Sequence, residues 1–247
     1  MHRFGSCSDD FYINLNLNTE MELNVGRESV LHYFEQMRKR YPTMRNFYGR
    51  DRGEHVMEED KDRGHYRWTS VEKKRLSTGH VNPESIDEAL GLHRLALELA
   101  PYTLSVSGLD CDSINLTYGF DFNCRGNHNQ LVAEALGIAP AFEGFAETPG
   151  GMPVAYEPAV QISLDEECRV QCRLSVETRT TAYHVRTGNY PEEQISVYVT
   201  ARQYGSLRDD ETFELTLAKL DRICQEVVDT SVMDQVLRPL QQTISLM

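Results

Sequence analysis

The chain has 247 residues, 40% of them hydrophobic and 26% charged, with 16 glycines and 9 prolines. That is the make-up of a globular protein with a sizeable core, and it excludes a collagen, a coiled-coil rod, a disordered tail and a disulfide mini-protein. With 38 acidic against 25 basic residues the net charge is −13, which disfavours non-specific binding to nucleic acid or to anionic lipid.

No stretch approaches the ~18 consecutive apolar residues of a membrane helix. The start, Met1-His2-Arg3-Phe4-Gly5-Ser6-Cys7, lacks the apolar region of a secretion signal, so no membrane and a cytoplasmic location are expected. The six cysteines form no C-x-x-C pair and none has a histidine at zinc-ligand spacing, which points to free thiols in a reducing compartment. Cys168 and Cys172, four apart, are expected on one face of a strand as small apolar fillers.

Strands and helices follow from periodicity. Ile13, Leu15 and Leu17 alternate with asparagines in a half-buried strand pattern. Val30, Phe34, Met37 and Tyr41 recur at helical spacing, with Arg38, Lys39 and Arg40 at the negative end and Pro42 as the stop. Met44 to Gly79 reads as extended, with turn signals at Asp51-Arg52-Gly53 and a hairpin loop at Asp60–Gly64. A second helix is expected from an Asn82 cap and Pro83 to Pro101. Strands at Thr103–Ser107 and Ser113–Cys124 come next, the latter with five apolar residues alternating without a miss. Asn127 caps a short helix from His128 to Leu136, which Gly137 ends. Ile138 to Pro158 is either a mobile flap or holds a turn of helix around Ala141–Ala146. A hairpin (Val160–Leu164 and Arg169–Thr178), a strand (Ile195–Gln203) and a long helix capped by Asp209 or Asp210 complete the chain. Pro239 is expected to kink or break that helix near its end.

The element order of the first part is that of a split βαβ unit. The fold class is therefore α+β: tandem ferredoxin-like halves with mainly antiparallel sheets, 1-109 and 110-247, the second ending in the long helix. The competing architecture is one continuous antiparallel sheet gripping that helix. The segments Glu35–Pro42, Asp87–Leu109 and Leu217–Val228 give the layout a resemblance to a sporadically distributed family of uncharacterised bacterial proteins. The chain departs from that family after the middle strand, where Asn115-Leu116-Thr117-Tyr118 replaces an expected arginine–tyrosine pair. The resemblance implies a fold and no activity.

Phosphate-loop, dinucleotide, nucleophile-elbow and zinc-protease patterns are absent, and no cofactor is expected. The local candidate for ligand binding is Arg125, Asn127 and His128, at a turn from strand to capped helix. Backbone N–H groups there can face an anion, Arg125 can pair with one and His128 titrates near neutrality. As an ordinary turn, the same residues would only shape and cap it. Asp110 and Asp112 can hold a cation through oxygen, or simply shape a turn. The Arg45–Arg52 run with His65-Tyr66-Arg67-Trp68 has the arginines and aromatics that stack bases, but interleaved acids oppose it, and nucleic acid is not the expected partner. The leading expectation is a non-enzymatic binding or assembly protein, a homo-oligomer or one with a protein partner. The alternative is a small-molecule-binding protein or enzyme. Its pocket would lie between sheet and C-terminal helix, lined by Arg125, His128 or Arg173.

Overall fold

The computed structural model describes Phe4, residues 6–50 and residues 53–246; the expectations for Met1–Arg3, Gly5, Asp51 and Arg52 lie outside the described residues. Nine strands form one antiparallel sheet: β1 (Asp10–Thr19), β2 (Asn46–Arg50), β3 (Glu54–Glu58), β4 (Tyr66–Glu72), β5 (Arg75–Val81), β6 (Cys111–Cys124), β7 (Ala159–Ser163), β8 (Val170–Glu177) and β9 (Glu193–Tyr204). Their order across the sheet is β2-β3-β4-β5-β1-β6-β9-β8-β7. The helices are α1 (Arg27–Arg40), α2 (Ile86–Thr103), α3 (His128–Leu136), α4 (Pro140–Ala146), α5 (Ala182–Thr187), α6 (Phe213–Val227) and α7 (Arg238–Ser245).

Alternation sets the two faces. Phe11, Ile13, Leu15 and Leu17 of β1, Ile114 to Phe122 at even positions of β6, and Ile195 to Ala201 at odd positions of β9 are all buried beneath helices. α2 covers β1 and β5 and leans on α1, while α6 covers β6 and β9. Tyr12, Asn14, Asn16 and Asn18 point the other way, to a face that no helix covers.

The continuous sheet is the architecture observed. A second interleaved unit is not: β7, β8 and β9 form a meander that folds back to set β9, the last strand, beside β6, and leaves β7 at the outer edge. The physical reason is that β6 gives one whole edge to β1, so only its other edge remains; the chain passes through α3 and α4 to the far edge and adds β7, β8 and β9 inward in turn. The boundary expected between 109 and 110 falls just before β6, the strand that hydrogen-bonds both parts together.

Several local expectations need correction. Ser85, not Asn82, caps α2, accepting from Glu88 N at 3.2 Å. Asn82 instead adopts a positive φ of 49°, and its side chain ties Phe11 N, Asp10 and the Gly64 carbonyl together. Thr103–Ser107 is no strand: α2 runs through Pro101 to Thr103, and Ser105 takes a positive φ of 58° that breaks extension. Thr212 caps α6, its hydroxyl accepting from Leu215 N, in place of Asp209 or Asp210. Cys168 does not share a strand with Cys172; it sits exposed in the β7–β8 turn at φ 56°, while Cys172 is buried on β8. The chain stays helical up to Pro239 because residues 228–237 form a π-helix, where Arg238 N reaches back to the Met233 carbonyl. This wider turn relieves the clash proline would make in an α-helix. Among the described residues, no helix is long and apolar enough to cross a membrane.

Candidate functional site

Of the three residues singled out at the β6–α3 turn, Asn127 and His128 are hydrogen-bonded into the fold and Arg125 is exposed. Asn127 Oδ1 accepts from Asn129 N (3.1 Å) and Gln130 N (3.4 Å), and its Nδ2 donates to the Pro153 carbonyl at 2.8 Å. His128 is buried: its N–H donates to Thr180 Oγ1, its Nδ1 accepts from Arg179 N, and Nε2 lies 3.3 Å from the Cys124 carbonyl. Burial holds its pKa below the ordinary value. Arg125 is exposed and ion-paired with Glu192 at 3.2 Å. The N–H groups of His128 and Asn129 are thus satisfied internally, and the turn works as a clamp on the 153–157 and 178–180 segments. Removing the clamp in Asn127→Ala is expected to lower stability by about 1–2 kcal/mol, read by urea unfolding; an unchanged midpoint would refute this role.

Asp110 accepts from the Ser107 N–H (2.8 Å) and hydroxyl (2.6 Å), which holds its carboxyl below the usual range. Among the described residues, no three of His, Cys, Asp and Glu gather as a metal would need. The space beneath α6 is filled by the buried Leu217, Leu220 and Cys224. The Cys224 thiol donates to the Leu116 and Val199 carbonyls, and Tyr118 Oη donates to Asp221 at 2.5 Å.

Arg173 lies on the opposite side, the open face, and it is there that the structure forms a hollow of about 320 Å³. Its walls are Thr117 of β6, Tyr198, Thr200 and Arg202 of β9, Gln171, Arg173, Ser175 and Glu177 of β8, and Gln161 of β7. Register explains the assembly. Thr117 pairs with Thr200, Thr200 with Arg173 and Arg173 with Gln161, so one row crosses four strands on one face. Arg202, paired with Gln171, is a diagonal neighbour of Arg173, roughly 7–8 Å away by sheet geometry.

The Thr117 and Thr200 hydroxyls stand 2.9 Å apart, Gln161 Nε2 donates to Gln171 Oε1, and Arg202 Nη1 donates to Tyr204 Oη at 2.6 Å. Arg202 also lies over the Tyr204 ring, 5.3 Å from its centroid. Two polar atoms here are buried without a partner: Arg202 Nε and, on the paired residue, Asn115 Oδ1. Asn115 itself is only 7% exposed.

A second hollow on the same face, about 420 Å³, is lined by Tyr12, Tyr66, Trp68 and Asp121 among others. Its aromatic floor rests on glycines: a Cβ on Gly79 would overlap the Trp68 indole, and one on Gly119 would overlap the Tyr12 ring. Both rings therefore lie flat on the sheet. Tyr12 Oη donates to Asp121 at 3.2 Å, and burial raises the Asp121 carboxyl. Trp68 is half-buried.

Sequence reasoning named Arg173 but missed the first hollow because its residues are outward-facing positions of four strands that pairing alone brings together. For the second hollow a signal was available: Gly79 and Gly119 inside strands mark places where something lies close to the backbone. Compared with models of known protein families and with curated proteins, the chain matches none.

Proposed function

We propose that the chain is a non-enzymatic binding protein whose open sheet face receives a small anion carrying hydroxyl groups. The observation that carries this is an unpartnered donor in the wall of the hollow, Arg202 Nε, with an unpartnered buried acceptor, Asn115 Oδ1, on the residue paired with it across the strands. A buried polar atom left unpaired costs about 1–3 kcal/mol, so both atoms favour a ligand that offers an acceptor and a donor together. Arg173 and Arg202 supply positive charge against the single carboxylate of Glu177, and the threonine and glutamine side chains suit hydroxyl groups. The wall contains no histidine or cysteine.

The reading extends to the fold and setting. The order β4-β5-β1-β6, with α1 and α2 as crossovers, supports a ferredoxin-like first half into which β2 and β3 are inserted. Six unpaired thiols, five of them buried, support a cytoplasmic setting. The bacterial family named above remains the proposed kinship.

Calorimetric titration with inorganic phosphate, citrate and glucose 6-phosphate tests the ligand reading. At least one of the hydroxylated anions is expected to bind more tightly than phosphate, with affinity falling as salt rises. Arg202→Lys keeps the charge but removes Nε, and is expected to weaken binding at least tenfold. No binding of any of the three at millimolar concentration, or binding unchanged in Arg202→Lys, would overturn it.

A further inference from the structure

The helical layer stops short of one sheet edge. α6 lies over β6 and β9, while on the same side of β7 the side chains stand bare: Val160 is 64% exposed, Ile162 51% and Leu164 44%. The opposite edge, β2, is treated differently. Its Phe47 packs against Phe34 of α1 at 5.2 Å, and Arg50 pairs with Glu54. Exposed edge strands in natural proteins usually carry charge, proline or a bulge; β7, Ala159-Val160-Gln161-Ile162-Ser163, carries none of these.

The hydrogen bonds of β7 show which of its groups are free. Leu164 N donates to the Val170 carbonyl and Val176 N to the Pro158 carbonyl. Even-numbered residues therefore turn their backbone groups toward β8, and by alternation Ala159, Gln161 and Ser163 present theirs outward. We propose that a second copy of this chain docks on that edge, β7 against β7 about a two-fold axis at Gln161.

In this register Gln161 faces the partner's Gln161, and Ala159 and Ser163 face each other in both directions. All outward N–H and C=O groups of the strand are then paired. On the helix side, Val160 meets the partner's Ile162, and Leu164 meets the partner's Pro158, so the bare apolar row closes on itself. The strand is neutral within a chain of net charge −13, and its two apolar residues, Val160 and Ile162, sit symmetrically about Gln161, which suits the self-complementary face of an isologous contact.

Two features set the strength. A five-residue ladder falls below about 1,200 Å² of total buried surface, the range of weak complexes, so dissociation in the micromolar range is expected. At each end the register also brings Glu157 opposite the partner's Asp165. Both carboxylates are held in place, Glu157 by Thr178 and Asp165 by the Arg169 and Val170 N–H groups. Like charges at both ends make association tighter as salt rises, the reverse of an ion-paired interface. The pairing also places the two Gln161 side chains, each in the wall of its own hollow, side by side.

Sedimentation equilibrium of the full chain from 1 to several hundred micromolar, at low and high salt, tests this directly. A reversible dimer that tightens with salt is expected. Ala159→Pro removes an outward N–H at each end of the ladder without touching the wall of the hollow, and is expected to weaken the dimer at least tenfold with an unchanged circular dichroism spectrum. Ile162→Lys should do the same by a different route, and Tyr48→Ala on the opposite edge should have no effect. A chain that stays monomeric throughout, or a dimer indifferent to both β7 variants, would overturn the proposal. Anion titrations on these variants keep the ligand reading separate: loss of dimer with intact anion binding, or the converse, assigns the failure to one proposal alone.

Discussion

Lowering the pH from 6.5 toward 4 is expected to destabilise the folded chain by about 1.4 kcal/mol per pH unit for each of two histidines, His80 and His93. Both lie between sheet and helix, His80 on β5 and only 2% exposed, His93 on the sheet-facing side of α2 and fully enclosed, with His93 Nδ1 2.6 Å from Thr78 Oγ1. Burial is the main cause of their low affinity for a proton: it pushes His80 down to about 4 and His93 to about 3. The groups facing them are mixed. Arg67 and His65 oppose a charge on His80 while Glu59 and Glu88 favour it, and His80 opposes a charge on His93 while the Ile13 carbonyl favours it.

The sign follows from the depressed values. Above 6.5 both states are neutral and the contribution is complete. Below it the unfolded chain takes up protons that the folded chain refuses, so stability drains away until the pH reaches the folded values. His128, also held low by burial, adds to the loss, and the raised carboxyls of Asp121 and Asp221 offset part of it. Urea unfolding between pH 7 and 4 should therefore be compared with the His80→Gln/His93→Gln variant, whose stability should fall far less steeply. Parallel slopes in the two proteins would show that these histidines are not the source.

The second large effect concerns the aromatic floor. Gly79→Ala is expected to cost about 2–4 kcal/mol, because the new methyl would overlap the Trp68 indole and Asn14 Oδ1, and a ring pressed flat on the sheet has no small adjustment to make. Trp68 is the only tryptophan, so its emission should shift to the red as the ring lifts into water. The double variant Trp68→Ala/Gly79→Ala should be at least about 1 kcal/mol more stable than the two separate losses add up to, since removing the ring frees the space. Strict additivity with unchanged emission would contradict the contact.

How far the sequence speaks is seen by comparing particular residues. Ile13, Leu15 and Leu17, or Ile114 to Phe122, announce both strand and buried face, because alternation is a local property. Asn127 announces its cap for the same reason: its Oδ1 reaches N–H groups two and three residues on. Leu104 and Val106 mislead, since both are buried as a strand would bury them, yet the positive φ at Ser105 puts them in a loop. Neighbourhood across the sheet is not local at all. Nothing in the spacing of Thr117, Arg173 and Arg202 says that they share a wall; only the pairing of β6 with β9 and β9 with β8 brings them together. The hollow therefore stayed hidden, while the turn at Arg125–His128 was legible as a capped strand-to-helix turn.

The ten residues from Val228 to Leu237 have a further consequence. Each of their turns holds one residue more than an ordinary helical turn, so the rod lags in phase as it passes through them. Without interruption, its first part can present Leu217, Leu220 and Cys224 to the sheet while its last part presents Leu240 to α3. One uninterrupted rod thus seals two differently oriented walls, and along this stretch the number of residues governs the fit more strictly than their identities do.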